Sequence, residues 1–311
     1  MTTVSEPALL GLDWGTSSLR AFLLSADGAV LETRHADAGL QRIGTAGAAG
    51  FAQALAQIAG DWLQRWPALP LIACGMVGSA QGWREAPYVA CPADAQALAQ
   101  HGVRVDIGDG RVLRITPGVC RDADGPLPDV MRGEETQVVG ALCHAPAWTA
   151  AARFVLPGTH SKWVRVADGR IVGLDTYLTG EMFAVLRGHS ILGRLMQGDA
   201  ADPAAFVRGL DTARRAPGDL LHHVFSARTL GLTGQLPGEA LAEYLSGLLI
   251  GHELVAGLAQ ATDAPLVLVG EPALCRRYAE ALRHLGHPAQ AVLGNTAPQG
   301  LWSLACAAGL L

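Results

Sequence analysis

Short apolar runs broken by small polar turns open the chain. Leu9 to Asp13, Leu19 to Leu24 and Ala29 to His35 are strand-like, the last two joined by Ser25-Ala26-Asp27-Gly28, and together they predict an antiparallel meander. From Ala48 to Trp66 the period lengthens. Phe51, Leu55, Ile58, Trp62 and Leu63 fall on one helical face, and Pro67 and Pro70 stop the helix. Leu71 to Cys74 predicts a buried strand running into the turn Gly75-Met76-Val77-Gly78-Ser79. Gln81 to Asp129, rich in Pro and Gly, predicts irregular chain with one helix near Ala93 to Gln100 and one strand near Val112 to Thr116. Irregular stretches of that length inside a compact domain are usually functional or ordered by a ligand.

The second half begins in the same way. Gly133 to Leu142 predicts a helix and Arg153 to Leu156 a strand, which ends in the turn Pro157-Gly158-Thr159-His160-Ser161. Lys162 to Val166 and Arg170 to Leu174 form a hairpin around Ala167-Asp168-Gly169, with Lys162 expected at a solvated strand position. Helices are expected over Glu181 to Leu195, Asp202 to Arg214, Gly218 to Leu230 and Gly238 to Gln260. Leu266 to Val269 predicts a buried strand, Pro272 to Leu285 a helix, Gln290 to Leu293 a last strand, and a C-terminal helix follows. No sequence repeat of solenoid length is visible. What recurs is a unit of strand, hydroxyl-rich turn and returning strand, near residue 13 and again near residue 158.

Composition narrows the class. With 311 residues, 50% hydrophobic and 16% charged, the chain has the profile of a globular protein of roughly two domains. A net charge of −5 gives no general attraction for nucleic acid or an anionic membrane, so any anion site must be local. The six cysteines form no C-x-x-C pair, which suits reduced thiols. Met1 to Glu6 has no leader-like start, and the apolar stretch Leu241 to Ala261 is interrupted by Glu243, His252 and Glu253. A cytoplasmic protein without a membrane or nucleic-acid partner is the expectation, and a homodimer is open.

The two turns carry the chemistry. Asp13-Trp14-Gly15-Thr16-Ser17-Ser18 places a carboxylate, a glycine and consecutive hydroxyls at a tip whose backbone N–H groups all need partners. The chain contains neither a Walker G-x-x-x-x-G-K-[ST] loop nor a G-x-G-x-x-G fingerprint. His222-His223 and His284-Leu285-Gly286-His287 lack carboxylate or Cys partners at zinc spacing, and no transition metal is expected.

Asp13-Trp14-Gly15-Thr16-Ser17-Ser18, Leu156-Pro157-Gly158-Thr159-His160-Ser161 and Leu266-Val267-Leu268-Val269-Gly270-Glu271, in that order, resemble the first phosphate, second phosphate and adenosine motifs of the sugar kinase, Hsp70 and actin superfamily. Cys74-Gly75-Met76-Val77-Gly78-Ser79, the run Val130 to Gln137 and Leu156 to Trp163 narrow the resemblance to the 2-dehydro-3-deoxygalactonokinase family, from about Leu10 to the C-terminus. The resemblance implies an α/β fold of two actin-like (ribonuclease H-like) domains that close over a cleft. Residues 1–150 would form the first, with a sugar-acid-binding insertion. Residues 151–311 would form the second, with a helical segment, and the last helix would pack back on the first. It also implies ATP- and Mg²⁺-dependent phosphorylation of a six-carbon 2-keto-3-deoxy sugar acid, 2-dehydro-3-deoxy-D-galactonate, on its terminal 6-hydroxyl.

Carried over residue by residue, Asp13 would hold Mg²⁺ through water, and Gly15, Thr16 and Ser17 would meet the transferred phosphate. Gly158, Thr159 and His160 would hold the other phosphates, and Gly270 with Glu271 would border the adenosine. Related sugar kinases place a Gly-Asp pair at a helix start before the second phosphate turn; here the place reads Gly133-Glu134-Glu135. Glu134, which directly follows the glycine, is the favoured base, and Glu135 stays open; both also suit the positive end of a helix. The sugar acid would be bordered by Gly78, Ser79, Gln81 and Trp83, with its carboxylate on Arg84, Arg132 or Arg187, since Arg suits a planar carboxylate. Arg20 either approaches phosphate or points outward. The competing readings are a kinase for another sugar or sugar acid, a phosphohydrolase of the same superfamily using water as acceptor, and a nucleotide-dependent regulator or filament subunit.

Overall fold

The computed structural model describes residues 6–198, 200–260 and 262–311; Met1 to Ser5, where no leader was read, and Ala261, the end of the long apolar stretch, lie outside them. β1 (Pro7–Trp14), β2 (Leu19–Ser25) and β3 (Val30–Ala36) form the predicted meander, followed by α1 (Leu40–Ile43), α2 (Gly47–Arg65) and β4 (Leu71–Gly75). The segment read as irregular holds β5 (Tyr88–Ala90), α3 (Ala95–Gln100), β6 (Val103–Gly108), β7 (Arg111–Ile115), β8 (Gly118–Arg121) and β9 (Asp129–Met131). Then come α4 (Glu134–His144), β10 (Ala151–Leu156), β11 (Ser161–Ala167), β12 (Arg170–Tyr177) and α5 (Thr179–His189). The chain continues through α6 (Pro203–Arg215), α7 (Leu220–Leu232), α8 (Leu241–Leu258), β13 (Leu266–Val269), α9 (Pro272–His284), β14 (Ala291–Leu293) and α10 (Ala297–Ala307).

The same sheet is built twice. One has the order β3-β2-β1-β4-β7-β6, the other β12-β11-β10-β13-β14, and a small sheet β5-β8-β9 stands apart. In the first, β1 pairs antiparallel with β2 and parallel with β4, and β4 pairs parallel with β7. In the second, β10, β13 and β14 run parallel. A meander on one side of a central strand and parallel strands on the other is the actin-like, ribonuclease H-like layout. It puts the carboxyl ends of β1 and β4, and of β10 and β13, side by side, where open α/β sheets hold ligands.

The chain divides into two compact units. One comprises the residues up to Ala152 with Val164–Leu174 and Asn295–Leu311; the other comprises Arg153–Trp163 and Asp175–Gly294. In the first, α2 buries Phe51, Leu55, Ile58, Trp62 and Leu63 against Leu12, Trp14, Leu23, Leu113 and Ile115. In that unit α10 crosses α4 at a close approach, because a Cβ on Gly140 would stand 2.0 Å from the Thr296 carbonyl oxygen and one on Gly300 1.9 Å from that of Thr136. The Thr296 hydroxyl donates to the Gln137 carbonyl (2.6 Å), so the helix that starts with Glu134 is held along its length.

In the second unit Val155, Trp163, Leu254, Leu268 and Tyr278 form one core, and Leu241, Tyr244, Leu245 and Leu248 another. The helix that includes α8 is apolar and long enough to cross a membrane by composition, yet Leu241, Leu245, Leu248 and Leu254 are fully buried within the fold. Two expectations are corrected. The helix expected to reach Leu195 ends at His189, because Ser190 is extended (φ −124°, ψ 173°) and its hydroxyl accepts the Leu192 N–H instead of continuing the helix. Lys162 is buried, not solvated, and donates to the Thr176 hydroxyl at 2.7 Å.

Candidate active site

The turn after β1 is aimed by its carbonyls. Ser18 O accepts from Gly15 N (2.9 Å), while Gly15 O, Thr16 O and Ser17 O accept from Leu40 N (3.1 Å), Gln41 N (2.9 Å) and Gly39 N (3.3 Å). All four carbonyls are thereby tied to the protein, and the Thr16 and Ser17 N–H groups have no acceptor among the described residues. With Thr16 and Ser17 exposed, the loop presents donors outward, which is the polarity an anion needs. Gly39 makes the fit, since a Cβ there would stand 2.3 Å from the Ser17 carbonyl carbon.

Beside this loop the charges of three acids, Asp13, Glu135 and Glu134, all bear on the Cys74 thiol. Asp13 pairs with Cys74 across β1 and β4, its Oδ1 lying 4.0 Å from the Cys74 sulfur. Its Oδ2 accepts from Arg20 Nη1 at 3.2 Å, so Arg20 points to the carboxylate. Burial raises the Asp13 carboxyl above its ordinary value, and the Arg20 charge offsets part of that rise. Gly75 (φ 91°) and Gly133 (φ 109°) turn the chain where β4 ends and α4 begins, and a Cβ on Gly133 would be 3.2 Å from the Gly75 Cα.

The two glutamates differ sharply. Glu135 is fully buried; its carboxylate accepts the Gly133 N–H (2.7 Å) and the Thr136 hydroxyl (3.1 Å). Burial, reinforced by the Glu134 charge, pushes it up to about 7. Glu134 is half-buried and accepts the Arg132 N–H at 3.1 Å. Burial first, then the charges of Asp13 and Glu135, push the Cys74 thiol well up, placing that sulfur within the field of the same acids.

The expected sugar-acid residues of this unit divide in two. Gly78 and Ser79 are buried in the turn after β4, and Arg132 lies against that turn. Gln81 and Arg84 are exposed. Trp83 is half-buried, stacked 5.8 Å from Phe51 and edge-on to Trp14 at 6.1 Å, so much of its surface supports the strand that carries Asp13.

In the other unit, Gly270 (φ 140°) stands where β13 ends, and a Cβ there would approach the Pro157 carbonyl oxygen at 3.7 Å. Gly180 packs on the second turn, since its Cβ would be 2.4 Å from the Gly158 carbonyl oxygen, and Glu181 N donates to Thr159 O (2.9 Å). His160 pairs with the Glu181 carboxylate. Both carboxylate oxygens of Glu271 cap α9, accepting Ala273 N (2.9 Å) and Leu274 N (2.7 Å), which holds the carboxyl below its usual range. Arg187 donates to the Gly198 carbonyl (2.9 Å) in this unit.

A cavity of about 320 Å³ opens beside this turn, lined by Gly158, Thr179, Phe183, Leu249, Leu274 and Arg277 among others. Sequence reasoning missed the buried network behind it. Glu253 accepts Trp163 Nε1–H (2.9 Å), the Tyr278 hydroxyl (2.6 Å) and the Thr179 hydroxyl, and Ser161 bonds Tyr278 at 3.0 Å. Its signal was in the sequence only as a glutamate interrupting the apolar run of α8. Gly39 was missed as well, because a contact partner distant in sequence leaves no local pattern.

The residues fit a magnesium ion of one kind. Among the described residues no group of three or more His, Cys, Asp or Glu could hold a metal, and Asp13 is a single half-buried carboxylate beside a loop that presents N–H donors to an anion. That suits Mg²⁺, which keeps its waters and takes phosphate oxygens with one or two carboxylates, rather than a metal in an all-protein cage.

Two actin-like cores, each ending paired parallel strands in a small-residue turn, define the frame of the actin-like sugar kinases. The chain belongs to the 2-keto-3-deoxy-galactonokinase family, whose model matches residues 13–304. It is 36% identical over 299 residues to the 2-dehydro-3-deoxygalactonokinase of Escherichia coli, covering 95% of this chain and 97% of that one. A Rhizobium meliloti protein assigned the same activity is 39% identical over 302 residues, covering 94% of each. A Sinorhizobium meliloti crystal structure assigned to a 2-dehydro-3-deoxygalactonokinase superimposes with a TM-score of 0.84 at 35% identity, over 96% of this chain and 98% of that one.

Proposed function

We propose that the chain transfers the γ-phosphoryl group of ATP to the terminal 6-hydroxyl of 2-dehydro-3-deoxy-D-galactonate, in the cytoplasm. Family membership supports the reaction class and the substrate. The observation that carries the site is the half-buried Glu134 at the start of α4, whose charge, like that of Asp13, reaches the Cys74 thiol beside the first turn.

Glu134 takes the proton of the 6-hydroxyl as its oxygen forms a bond to the γ-phosphorus; the bond from that phosphorus to the β,γ-bridging oxygen breaks, and ADP leaves. Both Glu135 oxygens are already engaged, by the Gly133 N–H and the Thr136 hydroxyl, so its part is to orient the residue before it. Thr16 and Ser17 receive the transferred phosphate, and Gly158 and Thr159 the remaining ones. The cavity lined by Phe183, Leu249 and Leu274 takes the nucleoside. Asp13 would hold Mg²⁺ through water, and that ion would neutralise phosphate charge.

A coupled ADP-release assay over 2-keto-3-deoxy sugar acids and plain hexoses tests the reading. ADP release stimulated by 2-dehydro-3-deoxy-D-galactonate and not by hexoses is expected. ADP release that no sugar acid stimulates overturns it.

A further inference from the structure

Arg132 is half-buried, and its guanidinium has too few acceptors. Its Nη2 donates to the Ala86 carbonyl at 2.8 Å and its guanidinium lies 4.3 Å from the Tyr88 ring centroid. Nε and Nη1 are buried and have no hydrogen-bond partner, and among the described residues no carboxylate pairs with the group. Arginine stays ionised in proteins, so donors left in this state cost free energy unless something accepts them.

The surroundings share the deficit. Ser79 is 8% exposed and its hydroxyl has no partner; the Thr116 hydroxyl, one residue beyond Ile115, is in the same state. Gly78 lets the turn lie directly against the guanidinium, since a Cβ there would stand 3.0 Å from Arg132 Nη1 and 2.9 Å from Ile115 Cγ2. The turn after β4, the end of β7 and the residue before Gly133 thus meet where a guanidinium keeps two unpaired donors and the residue after Gly78 carries an unpaired hydroxyl. The other two arginines considered from sequence lack this setting: Arg84 is exposed, and Arg187 already donates to a carbonyl in the other unit.

We infer that Arg132 and Ser79 form the receptor for the C1 carboxylate of the sugar acid, and so set the preference for an acid over a neutral sugar. This rests on the proposed kinase reading. The backbone supports it: Arg132 N–H donates to the Glu134 carboxylate, so the receptor and the proposed base lie two residues apart. A phosphate group would satisfy the same donors, and the kinetic split below separates the two anions.

Steady-state kinetics of the full-length enzyme, its R132M, R132K and S79A variants, test the assignment with 2-dehydro-3-deoxy-D-galactonate and its C1 amide. R132M should raise KM for the acid about 100-fold, from loss of charged hydrogen bonds, and leave KM for ATP within about 2-fold. It should also reduce the acid-over-amide preference of the wild type to near unity. R132K, which keeps the charge without the planar fork, should fall between, and S79A should raise KM for the acid about 5-fold. R132K and S79A carry the test if R132M does not fold. An unchanged KM and preference in these variants overturns the assignment, as does a rise confined to the KM for ATP, which would make Arg132 a phosphate ligand. Wild-type enzyme that phosphorylates no sugar acid overturns the kinase reading itself, and the receptor with it.

Discussion

Replacing Glu135 by Gln should stabilise the protein at alkaline pH and not at acid pH. The carboxyl is fully buried, and burial together with the Glu134 charge moves its titration from 4.5 to about 7. Between those values the native state holds a proton that the unfolded chain has lost, so stability falls as pH rises from about 4.5 to about 7 and is level above. A displacement of that size corresponds to about 3 kcal/mol. Gln keeps the acceptor for the Gly133 N–H and offers an N–H to the Thr136 hydroxyl, so the two contacts of the native carboxylate survive the change. Urea denaturation of wild type and E135Q at pH 5 and pH 8 reads the effect. The stability of E135Q relative to wild type should rise by about 3 kcal/mol between the two. An equal difference at both pH values would refute the argument and place a charged, compensated Glu135 at the helix start. The point bears on catalysis, because a Glu135 that titrates at about 7 is charged only about half the time near pH 7, and so sets less than a full charge beside Glu134.

Three further substitutions follow from the site. Glu134→Gln should lower kcat by about 10²–10⁴ while calorimetric ATP affinity stays near wild type; full turnover would remove Glu134 from the base role. Gly39→Ala should weaken ATP binding and cost about 1–3 kcal/mol of stability, since the added Cβ meets the Ser17 backbone at 2.3 Å; unchanged nucleotide affinity would show that the loop is not held by that contact. Tyr278→Phe should cost about 1–3 kcal/mol in thermal unfolding, because it withdraws the 2.6 Å donor from buried Glu253 and the partner of Ser161; wild-type stability would show the network to be redundant.

The sequence announces elements whose signal is local. α2 declares itself by one apolar face from Phe51 to Leu63, and β13 by four consecutive apolar residues. The strands β5, β8 and β9 are not legible, because three or four residues set among prolines and glycines give no period, and pairing partners distant in sequence make them strands. Lys162 reads as solvated because alternation along β11 is all the sequence offers, while the half-buried Thr176 across the hairpin gives its amine a partner. At the site, Asp13, Gly133 and Glu134 are visible as motifs, yet the contrast between Glu134 and Glu135 depends on which way α4 faces, and that is set by its packing on α10 through Gly140 and Gly300. Glu271 shows the opposite case: a residue within a recognisable motif whose two oxygens are occupied in capping a helix.

The account stands or falls on where the phosphate goes. Phosphorus NMR of a reaction of purified protein with ATP, Mg²⁺ and 2-dehydro-3-deoxy-D-galactonate should show one phosphomonoester, coupled to the C6 protons, for each ADP formed. Release of inorganic phosphate with the sugar acid unchanged would contradict it.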